Sequence, residues 1–312
     1  MSGVREDLIK LYSSGTVEYV HKSEAYQKLC RDNEGDRTFD AERNLIEDVR
    51  FKIDWLMENS TSYREQVQCA LRFLRRLETE EKKKLSRRLV LNSYASKWSD
   101  NARRYFEEKS EFLIDAKDYF LSFTNRNPNR PNQNDMNRNH RNFIRDSLGG
   151  EAYNHADLSN CNLVAETVHY HLRNLSWDGF YYPSHEENNQ DVKEKLCRNC
   201  IRSLAFVQLV QAAMFRYIPD SPNWCFFEYD LALKQDSNCV LFVQIEEDIR
   251  EEGIHACFND WYQHFKNKDS LKLKQTRNRS QGVIDENRSK IRKELSEQIK
   301  KAVDRIYCAI PD

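Results

Sequence analysis

Apolar positions in the first third of the chain recur at the helical period. Between Phe39 and Glu58, the residues Leu45, Val49, Ile53 and Leu56 fall at spacings of four, four and three, which places them on one helix face. Ser60 or Thr61 is positioned to cap the helix that follows, whose apolar stripe is Val67, Ala70, Leu71, Leu74 and Leu77. A polar break near 96–101 precedes a further helix over 102–116. No alternating β-branched run interrupts this region, so residues 1–112 are expected to form an all-α helical domain, a bundle equally consistent with a plain scaffold and with a sensing or oligomerising module. The basic cluster of Lys82, Lys83, Lys84, Arg87 and Arg88 reads as a solvated face of it.

From residue 113 onward the pattern changes. Asp118-Tyr-Phe-Leu-Ser-Phe123 is a short apolar run suited to a buried strand, and an Asn- and Arg-rich stretch with Pro128 and Pro131 follows it as a long solvated loop over 125–145. Helical patterns over 162–175, 191–201 and 224–233 then alternate with strand patterns over 179–182, 203–210 and 239–245. A long helix over 285–307 turns Ile291, Leu295, Ile299, Val303 and Ile306 inward. Strands alternating with helices predict βαβ units and a mainly parallel sheet covered on both faces. In such sheets ligands bind beyond the carboxyl ends of the strands. The segments 124–130, 183–190, 211–223 and 246–253 are therefore where chemistry is expected.

Composition narrows the field. Net charge is −1, without the basic excess of a dedicated nucleic-acid binder, so nucleic acid is not an expected partner. No apolar run approaches the ~20 residues needed to cross a bilayer, and the first ten residues, MSGVREDLIK, carry no apolar signal core, so neither a membrane nor secretion is expected. Nine scattered cysteines make a poor disulfide framework and fit a reducing, cytoplasmic setting. Only eight glycines occur, and none forms a dinucleotide-binding fingerprint, a Walker phosphate loop or a nucleophile elbow. The single Cys-x-x-Cys, Cys197 to Cys200, has no second pair. His169 and His171 are available to complete a metal site, but two thiols on one helix face are the plainer reading, and no metal is expected.

One stretch stands out: Ser221-Pro-Asn-Trp-Cys-Phe-Phe-Glu228 places a tryptophan one helical turn before a carboxylate inside an otherwise apolar run. By spacing alone, Trp224 and Glu228 are more readily read as core packing with a solvated edge. The order of parts changes the weighting. Phe120-Leu-Ser-Phe123 opens a first strand, a strand at 179–182 leads to an acidic loop, 203–210 is a third strand, and S-x-x-W-C-x-x-E starts a helix. This order resembles a Toll/interleukin receptor (TIR) domain over residues 115 to 310, with an enlarged loop after the first strand. The resemblance implies a flavodoxin-like, mainly parallel five-stranded α/β domain over 113–312. It implies one of two activities: cleavage of NAD at the nicotinamide–ribose bond, with Glu228 as the catalytic carboxylate, or non-catalytic assembly as an adaptor. For the enzyme, NAD is substrate and no cofactor is needed. Trp224, Phe123, Thr124 and Arg126 are the implied nucleotide-binding residues. The resemblance further implies activation by homo-oligomeric TIR–TIR contacts in which 184–190 of one copy completes the pocket of another, an activating partner or ligand at the helical domain, and a setting in innate immunity or antiphage defence. The chain departs from the family where arginines often follow the first strand, since Thr124 and Asn125 precede Arg126. It departs again where an aspartate often follows the second strand. Pro183 stands there, followed by His185, Glu186 and Glu187.

Overall fold

The computed structural model describes residues 2–123, 126–127, 130–134, 161–181, 190–215, 217, 223–235, 239–245, 249–274 and 281–311. Two compact units result: residues 1–115 with 306–312, and residues 116–305.

The first unit is all helical, with α1 (Ser2–Ser14), α2 (Val17–Lys22), α3 (Glu24–Asp32), α4 (Arg37–Glu58), α5 (Tyr63–Arg76), α6 (Glu80–Ser93) and α7 (Asp100–Leu113). Short polar side chains start these helices by accepting otherwise unpaired amides. Asp36 caps α4, Thr79 caps α6 and Ser99 caps α7. The α5 cap is Ser62, one or two residues later than Ser60 or Thr61, because the Glu65 carboxylate reaches back to the Thr61 amide and fixes the first turn there. Along α4 the buried stripe is Ile46, Val49, Ile53 and Met57, with Leu45 and Leu56 only half-buried beside it. A stripe at spacings of three, four and four serves the core as well as the expected one, and Val49 and Ile53 belong to both. Leu77 is likewise half-buried, because it ends α5 as the C-cap.

The second unit is α/β. A five-stranded, all-parallel sheet takes the order β4 (Gly179–Tyr181), β1 (Lys117–Ser122), β5 (Ser203–Val210), β6 (Cys239–Gln244), β7 (Leu271–Lys272). In terms of the sheet's own strands this is 2-1-3-4-5, the order compatible with a flavodoxin-like doubly wound fold. The expected strands occupy their expected places within a residue or two. The fifth strand, β7, is only two residues long and carries no sequence signal of its own. In the stretch expected to be an open loop, the backbone at β2 (Arg126–Asn127) and β3 (Arg130–Asn134) forms a small antiparallel pair.

The described helices of this unit begin with α8 (Cys161–Arg173), α9 (Gln190–Ile201), α10 (Trp224–Leu233), α11 (Asn259–Asn267) and α12 (Gln281–Lys290). The last helical stretch is less regular than its apolar period implies. A π-helical turn at Ile291–Leu295 separates α12 from α13 (Ser296–Cys308), yet Ile291, Leu295, Ile299, Val303 and Ile306 are all buried. The sheet's two faces differ. Phe120, Phe206 and Phe242 pack on one side with Cys200, Cys225, Tyr229 and Trp261, which come from α9, α10 and α11. Tyr119, one residue out of phase, turns to the other side and meets His169 of α8. Gly179 is required here. A Cβ at that position would stand 2.0 Å from the Tyr119 ring, so only glycine lets β4 pair alongside β1. No helix among the described residues is long and apolar enough to cross a membrane.

Candidate functional site

Doubly wound sheets have one point where successive connections leave in opposite directions, and a crevice opens there at the carboxyl ends of the strands. In this sheet that point lies between β1 and β5. Ser122 is the last residue of β1 and pairs in register with Gln208 of β5. Glu228, in the second turn of α10, reaches this point. Ser122 Oγ donates a 2.7 Å hydrogen bond to Glu228 Oε2, and the glutamate is only 7% exposed.

The local sequence explains why α10 delivers a carboxylate there. Asn223 caps the helix by accepting from the Phe226 amide and anchors it by donating to the Met214 carbonyl. Cys225, Glu228, Tyr229 and Ala232 then form the buried face at spacings of three, one and three. Among the described residues no lysine or arginine pairs with Glu228, so burial dominates its titration. Loss of water pushes its carboxyl pKa up to about 7, against the lowering effect of the Ser122 hydrogen bond. A buried carboxylate with one donor and no cation among the described residues is poised between its neutral and anionic forms at neutral pH.

A second layer of buried polar groups lies behind Ser122. Gln208 donates through Nε2 to the Cys225 carbonyl at 3.2 Å and to Ser122 Oγ at 3.5 Å, while its Oε1 accepts from Trp261 Nε1 at 2.8 Å. All three side chains are buried. The sequence contains a usable signal for this layer. Gln208 is the one amide-bearing side chain in an eight-residue strand that is otherwise apolar after Ser203, where an unpaired side chain would be costly. Trp261 belongs to α11, whose buried Trp261, Tyr262 and Phe265, with Phe258 at the N-cap, have a helical spacing that is a second usable signal in the sequence.

The other expected site residues fall differently. Trp224 opens α10 one turn before Glu228, half-buried, with its ring edge-on to Phe227 at 5.7 Å. Phe123 does not join Glu228 on the same face. It stacks on Tyr181 at 5.4 Å, and Tyr181 in turn stacks on His169, so Phe123 belongs to the α8 side of the rim. Strand alternation is the reason, since Phe123 is one residue beyond the inward-facing Ser122. Arg126 starts β2, and Thr124 lies outside the described residues, as do residues 183–189 with Pro183, His185, Glu186 and Glu187.

The Cys-x-x-Cys pair sits on the Glu228 side. Cys200 Sγ donates to the Glu228 backbone carbonyl at 3.4 Å, and burial together with the Glu228 charge pushes both thiols up, away from the thiolate form. His169 and His171 are engaged elsewhere. His169 pairs with the Tyr119 hydroxyl at 2.8 Å, and His171 Nδ1 accepts from Arg292 Nε at 3.3 Å. Burial first, then neighbouring arginines, lowers each imidazole pKa to about 4 and keeps both neutral. Among the described residues no group of three or more His, Cys, Asp or Glu side chains could hold a metal ion.

No family model matches the chain, and neither a curated protein nor a solved structure matches it.

Proposed function

We infer that the α/β unit is a TIR-type NAD nucleosidase that cleaves the nicotinamide–ribose bond with Glu228 as its catalytic carboxylate. The observation that carries this reading is the place of Glu228: a buried carboxylate without a described cationic partner, at the carboxyl ends of β1 and β5, one helical turn after Trp224. An anion left without a cation suits a ligand that brings one. In NAD the positive charge starts on the nicotinamide ring. As the bond lengthens, the charge moves onto the ribose and nicotinamide departs neutral, so no general acid is required. The reacting sugar becomes oxocarbenium-like, as in glycoside hydrolysis. A fixed carboxylate in a water-poor site stabilises that state more than the ground state. Glu228 also offers acceptor oxygens to ribose hydroxyls, and Trp224 offers an aromatic face to a base, worth ~0.5–2 kcal/mol where the base is cationic. Water as acceptor gives ADP-ribose, and a second hydroxyl of the substrate gives a cyclic isomer. Assembly of several copies would activate the enzyme, with the helical unit as the place of an activating partner or ligand and NAD depletion or a nucleotide signal in immune or antiphage defence as the outcome.

A second reading, a non-catalytic TIR assembly module, is favoured by one observation: Ser122 already holds Glu228 nearly out of solvent, as a structural polar pair would. One experiment separates the two. Purified protein is incubated with NAD under crowding and nicotinamide is followed by chromatography, alongside Glu228→Ala. The enzyme reading expects nicotinamide release that falls at least 100-fold in the variant, by roughly the scale of one lost electrostatic group. Equal turnover in both proteins rules out the role given to Glu228, and no turnover under any assembly condition favours the adaptor.

A further inference from the structure

We propose that Trp261, Gln208 and Ser122 form a one-way hydrogen-bond relay that fixes a donor on Glu228, making these three positioning residues for the reaction; this rests on the reading of Glu228 as the catalytic carboxylate. The argument follows from what each group is able to donate. An indole N–H only donates. The Trp261 N–H, 2.8 Å from Gln208 Oε1, therefore sets which way the Gln208 amide points and turns its NH2 toward β1 and α10. The NH2 group has two hydrogens and two acceptors, the Cys225 carbonyl at 3.2 Å and Ser122 Oγ at 3.5 Å. With Ser122 Oγ accepting from Gln208, its own single hydrogen is left for Glu228 Oε2 at 2.7 Å. Each link from Trp261 through Gln208 to Ser122 thus donates toward the carboxylate.

The relay favours the anion. A hydrogen bond donated to a carboxylate stabilises its charged form, and the Ser122 bond opposes the burial that drives the Glu228 pKa upward. The described titratable groups facing Glu228 are the Cys197 and Cys200 thiols of α9. Both are pushed toward their neutral form, so neither adds a competing negative charge. Ser122 comes from β1, Gln208 from β5 and Trp261 from α11, so three separate elements hold one hydrogen in place, and the Cys225 bond ties α10 to the same amide. This arrangement also fixes which carboxylate oxygen is occupied: Oε2 is taken by Ser122, and Oε1, without a partner among the described residues, is left for substrate.

The test reads the carboxyl group itself. Infrared difference spectra of the full-length protein without substrate, recorded between pH 5 and 9, follow the protonated carboxyl band of Glu228, assigned by its loss in Glu228→Gln. Ser122→Ala is expected to move the titration midpoint up by about one pH unit. Ser122→Thr keeps the hydroxyl and is expected to leave the midpoint in place. Trp261→Phe frees the Gln208 amide to turn its oxygen toward Ser122 and draw the hydroxyl away from Glu228, so a smaller upward shift is expected; Gln208→Met serves the same purpose with a different packing change. A purely structural role moves the melting temperature without moving the midpoint. An unmoved midpoint in Ser122→Ala overturns the relay, and so does an equal shift in Ser122→Ala and Ser122→Thr. Shifts in the expected order with no NAD turnover by the parent protein leave the relay standing and remove the NAD reading alone.

Discussion

Folding takes Glu228 out of water, and burial raises its pKa to about 7 with only the Ser122 hydroxyl opposing the rise. The unfolded chain holds the same group near 4.5. Between those values the folded state binds the extra proton, so this contribution to stability is complete below pH 4.5 and is lost as pH rises through about 7. Replacing the carboxylate with its neutral isostere removes the loss. Glu228→Gln keeps an acceptor for Ser122 and should be more stable than the parent at pH 8 by about 1–3 kcal/mol, with little difference at pH 4.5. Thermal melts at the two pH values check this. Equal stability of the two proteins at pH 8 would mean the carboxylate is not desolvated as described. A second buried charge behaves differently. In the helical unit Arg50 and Asp54 pair at 2.9 Å within α4, and the Tyr94 hydroxyl donates to Asp54. Asp54→Ala leaves a nearly fully buried guanidinium without its counter-ion, with only the Ser93 and Tyr94 hydroxyls as partners among the described residues, and should destabilise that unit by ~3–5 kcal/mol, read from the denaturation midpoint.

At the scale of elements, much of the architecture is legible because local pattern and tertiary role agree. β5 is apolar apart from Ser203 and Gln208 and lies at the centre of the sheet, buried along its whole length. The bounds of α10 follow from Asn223 as cap and the apolar run behind it. Legibility fails where the determinant is not local. β7 is set by pairing with β6 over two residues, and α12 and α13 are separated by a π turn that no apolar period encodes. The same divide runs through the site. Glu228 and Trp224 are visible as a pair four apart on one helix. Ser122, Gln208 and Trp261 lie far apart in sequence and meet only because β1 and β5 are neighbours and α11 covers them. Gly179 shows the cost of ignoring such contacts. Gly179→Ala drives a methyl into the Tyr119 ring and should destabilise the α/β unit by about 1–3 kcal/mol, measured by chemical denaturation. A neutral effect would show that β4 is free to move away from β1.

At the scale of the whole molecule, a helical unit and a parallel α/β unit share one chain, and the α/β unit carries a carboxylate at its switch point. Under the proposed function, assembly of several copies completes the pocket. Specific activity should then rise with protein concentration, or with a crowding agent at fixed concentration, and activity per chain that stays constant across a hundredfold dilution would argue against assembly. The central claim, that an ionised Glu228 stabilises a ribosyl cation, is tested most directly by the pH dependence of nicotinamide release under single-turnover conditions. The expected profile rises with pH on an acid limb whose midpoint lies near the Glu228 value of about 7, with Glu228→Gln inactive at every pH. A rate that stays flat between pH 5.5 and 8.5, or a Glu228→Gln protein that retains the parent's profile, would contradict it.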